Sequence, residues 1–162
     1  MQNHSAVKRM FYKTVEKVCS KRNCTTISCS EGEHQETLKL TKNAIYVNNG
    51  INIDELQRLI DSVENIHEHP FTVFTLGRIC YQKKPRLFNM IAEAMPKVKF
   101  LWIGDGELKN GLTAPNIEVT GWVNRKDALM YSLCGDVFLL TSLWEGLPIS
   151  LLESMYMKKC VW

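Results

Sequence analysis

The sequence is short of the features that would mark a nucleic-acid, membrane or secreted protein. Its 20 lysines and arginines against 17 acidic residues leave a formal charge of +3, and no basic run gathers that excess into a patch. Neither nucleic acid nor an anionic membrane is indicated as a partner. No apolar stretch approaches the roughly 20 residues that a spanning helix needs, and the opening MQNHSAVKRM lacks the apolar region of a signal peptide. The expected setting is the cytoplasm. Close cysteine pairs are also missing. Structural zinc sites usually use pairs about two to four residues apart, whereas Cys19, Cys24 and Cys29 sit at a helix end and at the two ends of the run CTTISC. Cys80, Cys134 and Cys160 lie far apart among apolar residues and are expected to be buried reduced thiols. There is no Asp-x-Asp motif to suggest a metal.

What is present is enough apolar residue, 45% of 162, for one α/β domain with a core. Val7, Phe11, Val15 and Val18 recur at helical spacing between lysines and an arginine, which predicts an amphipathic helix over 5–19. A strand over 24–28, a polar helix over 31–40 and a strand over 44–47 follow, and Asn48-Asn49-Gly50 signals a turn. Asp54, with Gln57 three residues on, has the form of a cap for a helix over 55–64, after which ENIHEHP breaks the pattern. From residue 71 the runs FTVFTL, VKFLWI, IEVT and DVFLL alternate with helical or turn segments, as in a βαβ series. Pro85 opens one helix, Asn124 with Asp127 behind it caps another over 125–133, and Pro148 opens the last over 148–157. Cys160-Val161-Trp162 begins a fifth strand. Met10, Met90, Met95, Met130, Met155 and Met157 read as core filler.

Near-continuous apolar strands joined by helices imply a doubly wound parallel sheet covered on both faces. In such a sheet ligands bind beyond the carboxyl ends of the strands, at the switch point. With residue 71 opening the first strand, the loops there are 77–84, which is cationic, and 141–148, which carries Glu145 and Gly146; they should face each other. Arg78 can hold phosphate oxygens bidentately, Lys83 offers a point charge, and the helix opened by Pro148 supplies backbone donors and a favourable dipole. Glu153 lies roughly 7.5 Å beyond Pro148 at about 1.5 Å per residue, among Leu151, Leu152 and Met155, so it is expected to point inward. Two carboxylates a sugar's length apart suit a ligand with hydroxyl-bearing groups at both ends of a phosphate bridge.

The stretch from Phe71 to Trp162 resembles the C-terminal domain of retaining glycosyltransferases of family 4, the group 1 type with the two-domain GT-B architecture. The matching pieces are Gly77-Arg78 with Lys83-Lys84-Pro85, then FLWIGDGE over 100–107, NIEVTG over 116–121, and Ser142 with Glu145-Gly146-Leu147-Pro148 through Leu152-Glu153-Ser154-Met155. Two glutamates with seven residues between them are that family's signature. Upstream, Ile27 to Glu31 and Val47 to Ile51 are similar to the family's crossover between domains.

The resemblance implies a Rossmann-like, C-terminal half of a GT-B fold. Residues 1–70 would be the crossover and the start of the domain, and 71–162 a nucleotide-sugar-binding domain incomplete at its C-terminus. It further implies that Arg78 and Lys83 hold the donor diphosphate and offset charge on the leaving group, that Glu145 contacts the donor sugar, and that Glu153 binds the ribose hydroxyls. Gly77 would adjoin the diphosphate, Gly146, Leu147 and Pro148 would reach sugar and phosphates, and Gly106, Trp122 and Val123 would lie near the base. Arg78, Lys83 and Glu145 are the expected catalytic residues, with no covalent role for Glu145.

The implied substrate is a UDP- or GDP-sugar, with no cofactor and no metal. Its acceptor would be a saccharide or a lipid-linked acceptor held by the N-terminal domain, in a pathway such as bacterial surface-polysaccharide or capsule synthesis. The full-length enzyme could then sit peripherally at the inner face of the membrane, and the fragment alone would transfer no sugar. Met155-Tyr156-Met157-Lys158-Lys159 departs from the small residues common after the second glutamate. There are three rival readings. A nicotinamide dehydrogenase fails because Lys109 stands where the third glycine of the fingerprint belongs; a nucleotide-sugar epimerase of the same architecture and a non-catalytic nucleotide-binding module stay open.

Overall fold

The computed structural model describes residues 6–20, 24–62 and 69–162. The chain divides into two compact units, Met1–Asn49 and Gly50–Trp162. The first contains helix α1 (Ala6–Cys19), strand β1 (Thr26–Ser28), helix α2 (Glu31–Leu38) and strand β2 (Ala44–Tyr46). Strands β1 and β2 pair in parallel, so this segment is itself a βαβ unit. The eight-residue α2 returns the chain so that the second strand lies beside the first. Ser30 caps α2, its hydroxyl accepting from the Glu33 amide.

The second unit opens with helix α3 (Ile53–Asp61). The cap is Asn52, whose side chain accepts from Glu55 N at 3.1 Å, and not Asp54, which lies inside the first turn. Both residue types cap well; the backbone of Asn52 is extended, as a cap requires, and the start moves two residues earlier. Asn52→Ala is expected to destabilise by about 1 kcal/mol and Asp54→Ala by less than half of that, as read from urea unfolding. Residues 63–64 of the expected helix and most of ENIHEHP lie outside the described residues.

The remaining elements are β3 (Thr72–Leu76), α4 (Pro85–Ala94), β4 (Lys99–Ile103), β5 (Ile117–Val119), α5 (Arg125–Leu133), β6 (Val137–Phe138), α6 (Ile149–Tyr156) and β7 (Cys160–Val161). All five strands are parallel in the order β5-β4-β3-β6-β7. The run DVFLL is a strand for two residues only, yet its ladder continues, with Leu139 N donating to Phe74 O and Leu140 N to Trp162 O, both at 2.8 Å. Two helix starts follow the expected chemistry: Pro85 opens α4, and Asn124 accepts from Asp127 N to cap α5.

Alternation along β3 and β4 divides the core between two faces. Val73, Phe100 and Trp102 pack with Phe88 and Ala92 of α4, where Phe88 meets both aromatic rings edge-on. Phe74, Leu101 and Ile103 pack on the other face with Ala128 of α5 and Phe138. Beneath that layer Leu56 of α3, Leu129 and Leu133 of α5 and Met157 form a third cluster.

Two expectations about side chains need correction. Cys134 and Cys160 are exposed and Cys80 is only half-buried, because Cys134 caps the end of α5 and Cys160 lies on the outermost described strand. Of the methionines taken as core filler, Met157 is buried and Met130 packs against its cluster, whereas Met10, Met90, Met95 and Met155 are exposed. A flexible apolar side chain tolerates either place. No described helix is long and apolar enough to cross a membrane.

Candidate functional site

The switch point falls where β3 has β4 on one side and β6 on the other, so the loops that leave β3 and β6 emerge side by side at the carboxyl edge. They are joined along their length. Leu143 N donates to Gln82 O, Gln82 Nε2 donates to Trp144 O, and Thr141 Oγ1 donates to Lys83 O, at 2.8, 2.8 and 2.7 Å. Tyr81 and Trp144 add a ring contact at 6.1 Å. At the centre Lys83 Nζ lies 2.8 Å from Glu145 Oε1, with both side chains more than four-fifths buried. The facing of a cationic and an acidic loop is thus an ion pair.

Glycines let the neighbouring backbone close up. Gly77 and Gly104 follow β3 and β4 with φ of 147° and 139°, a region that L side chains rarely occupy. The Gly77 carbonyl accepts from Trp102 Nε1 at 2.9 Å, and a Cβ on Gly77 would sit 3.2 Å from Lys83 Cε. A Cβ on Gly106 would lie 2.2 Å from the Ile79 carbonyl oxygen. Both glycines therefore set the seat of the cationic loop.

The other predicted residues fall as follows. Arg78 is exposed and pairs with Glu107 at 3.1 Å. Trp122 is 82% exposed, while Val123 packs on the face that holds Leu101 and Ile103. Gly146, Leu147 and Pro148 are half-buried in the approach to α6, whose first turn no side chain caps. Glu153, one turn into α6, is 2% exposed, in keeping with its apolar neighbours.

Its partner was not legible in the sequence. Arg125, the first residue of α5, places Nη2 2.7 Å from Glu153 Oε1, and its Nε and Nη2 lie 3.0 and 3.4 Å from the two carboxylate oxygens of Glu55 on α3. Hydrogen bonds that the guanidinium donates to Glu55, and then to Glu153, hold it above its ordinary pKa. Beside the cap Asn124, Arg125 reads as a surface charge, and its two partners are 70 and 28 residues away in the chain. Glu145 and Glu153 thus each face a different cation. Among the described residues no group of three or more histidine, cysteine or acidic side chains could hold a metal ion. A groove lined by Pro96, Lys97, Asn116 and Glu118 opens at the amino ends of β4 and β5, away from this edge.

Residues 70–161, more than half of the chain, match the family described as Glycosyl transferases group 1. The chain belongs to that family. It is similar to an uncharacterized glycosyltransferase of Methanocaldococcus jannaschii, 31% identical across 67% of this chain and 30% of the relative. It is also similar to the UDP-Gal:alpha-D-GlcNAc-diphosphoundecaprenol alpha-1,3-galactosyltransferase of Escherichia coli, 28% identical across 90% of this chain and 44% of the relative. The chain therefore spans less than half the length of these two curated relatives. Among solved structures, HepE of Anabaena in complex with UDP-glucose superposes with a TM-score of 0.69 at 16% identity, over 95% of this chain and 49% of that one. The fold is accordingly the Rossmann-like α/β domain that makes up about half of a GT-B glycosyltransferase.

Proposed function

We propose that the carboxyl edge binds the nucleoside diphosphate and sugar of a nucleotide-sugar donor, and that the chain is the donor-binding part of a retaining glycosyltransferase. The observation that carries this reading is the Lys83–Glu145 pair, seated by both switch-point loops and enclosed enough to keep its charges at work. Lys83 would take the diphosphate and offset the charge that develops as the sugar leaves, the electrostatic contribution that usually dominates such steps. Arg78 would join it by giving up an exposed pair with Glu107, which is worth little in water. Glu145, released from Lys83, would accept from sugar hydroxyls, and Glu153 from the ribose. The uncapped start of α6 would add backbone donors and dipole, and the exposed indole of Trp122 would offer the base a stacking surface.

Uridine is the favoured base, because the E. coli relative is named for UDP-Gal and HepE was solved with UDP-glucose. The same relative's name supports a lipid-diphosphate-linked saccharide as acceptor and a polysaccharide pathway as setting. An acceptor of that kind would draw the whole enzyme from the cytoplasm to the inner face of the membrane. Calorimetric titration with UDP, GDP and ADP tests the donor site: saturable binding with UDP preferred is expected, and Glu153→Gln should weaken it about ten-fold, the loss of one hydrogen bond to a charged group. A folded chain that binds none of the three would end the reading.

A further inference from the structure

We propose that Arg125 is a positioning residue that fixes Glu153 for the ribose hydroxyls of a nucleotide, with Glu55 as its anchor; this rests on the donor-site reading above. A carboxylate as buried as Glu153 is stable only with a compensating charge. The compensation comes from one guanidinium that touches two other helices at once. Its Nε and Nη2 engage Glu55 on α3 at 3.0 and 3.4 Å, and Nη2 meets Glu153 Oε1 on α6 at 2.7 Å. A guanidinium is a rigid planar fork, so holding one edge against Glu55 sets where Nη2 points and hence how the Glu153 carboxylate is turned.

The scaffold behind the fork is also fixed. The amide of Asp127 closes the cap at Asn124, which holds the first turn of α5, and Tyr156 Oη donates to Gln57 Oε1 at 2.9 Å, tying α6 to α3. The charge balance identifies the ligand chemistry. Two carboxylates around one cation leave the cluster at −1, which favours hydroxyl donors over phosphate. A carboxylate offers about four lone-pair sites, so with Arg125 on Oε1 enough remain for a vicinal diol. The cation therefore stays with Glu153 while the sugar binds, unlike Lys83, whose partner must let go.

The test compares UDP with 2′,3′-dideoxy-UDP by calorimetry on the same chain and its Arg125→Gln, Arg125→Lys and Glu55→Gln variants. The parent chain should prefer UDP roughly ten-fold, as expected for hydrogen bonds to a charged acceptor. Arg125→Gln should compress that preference to under about three-fold while leaving the dideoxy affinity within about two-fold, because only the diol contacts depend on the turned carboxylate. Arg125→Lys and Glu55→Gln should fall between, the first keeping charge without the fork and the second the fork without its anchor. Should Arg125→Gln fail to fold, those two variants decide, Glu55 being partly exposed. Equal losses for both ligands would make Arg125 a support of the fold only, and an undiminished preference would deny it any role; either overturns the proposal while the donor site stands. A parent chain that binds both ligands equally overturns the role of Glu153, and one that binds neither overturns the donor site itself.

Discussion

Gly104→Ala is expected to cost about 3 kcal/mol or more, a fall of roughly 10 °C in unfolding temperature. Two effects act together. The backbone has φ of 139°, which a side chain disfavours, and the added Cβ would lie 2.3 Å from the Gly77 carbonyl oxygen. That oxygen cannot simply move aside, since it accepts from the indole of Trp102, which is 1% exposed in the core. The clash is therefore transmitted to the sheet and to the loop that carries Lys83. Gly111→Ala is the control: nothing lies within 4 Å of the added atom, and a change within about 0.5 kcal/mol is expected. Thermal unfolding of the two variants side by side decides the matter, and equal midpoints would refute the argument.

Lys83→Ala should act on the ligand instead. Its loss is expected to weaken UDP binding about 100-fold, from one or two charge-assisted hydrogen bonds at about 1.5–3 kcal/mol each. Removing the ammonium also leaves Glu145, itself mostly buried, as an unpaired negative charge facing the diphosphate. The double variant Lys83→Ala/Glu145→Gln should therefore recover part of the affinity despite lacking a second site residue. Calorimetry with UDP measures both, and binding by Lys83→Ala within about three-fold of the parent would remove Lys83 from the site.

Much of the fold was legible because its signals are local. Pro85 and Asn124 act within one helical turn, and the apolar runs that became β3 and β4 are continuous enough to show burial on both faces. The choice between Asn52 and Asp54 as cap was not, since it turns on the φ and ψ of a single residue. The exposure of Cys160 depended on its position at the outside of the sheet, and no pattern in the run around it encodes that position. At the site, the facing of the two loops followed from strand order alone, whereas the direct pairing of Lys83 with Glu145 emerged only in the structure. Arg125 escaped notice because its meaning lies in two carboxylates on other helices, brought to it only by the packing of Leu56, Leu129 and Met157 beneath.

If the carboxyl edge binds the donor as proposed, the contact between Lys83 and Glu145 would also act as a filter. An anion that draws the ammonium away leaves the carboxylate enclosed with nothing to bind, and inorganic diphosphate, which presents only oxygens of its own negative charge, makes that position worse. A ligand that brings hydroxyl donors along with its phosphates satisfies both halves of the separated pair in one step. On that reading the carboxyl edge would be closed by its own charges to simple anions, and would yield to a molecule that carries the sugar and the diphosphate together.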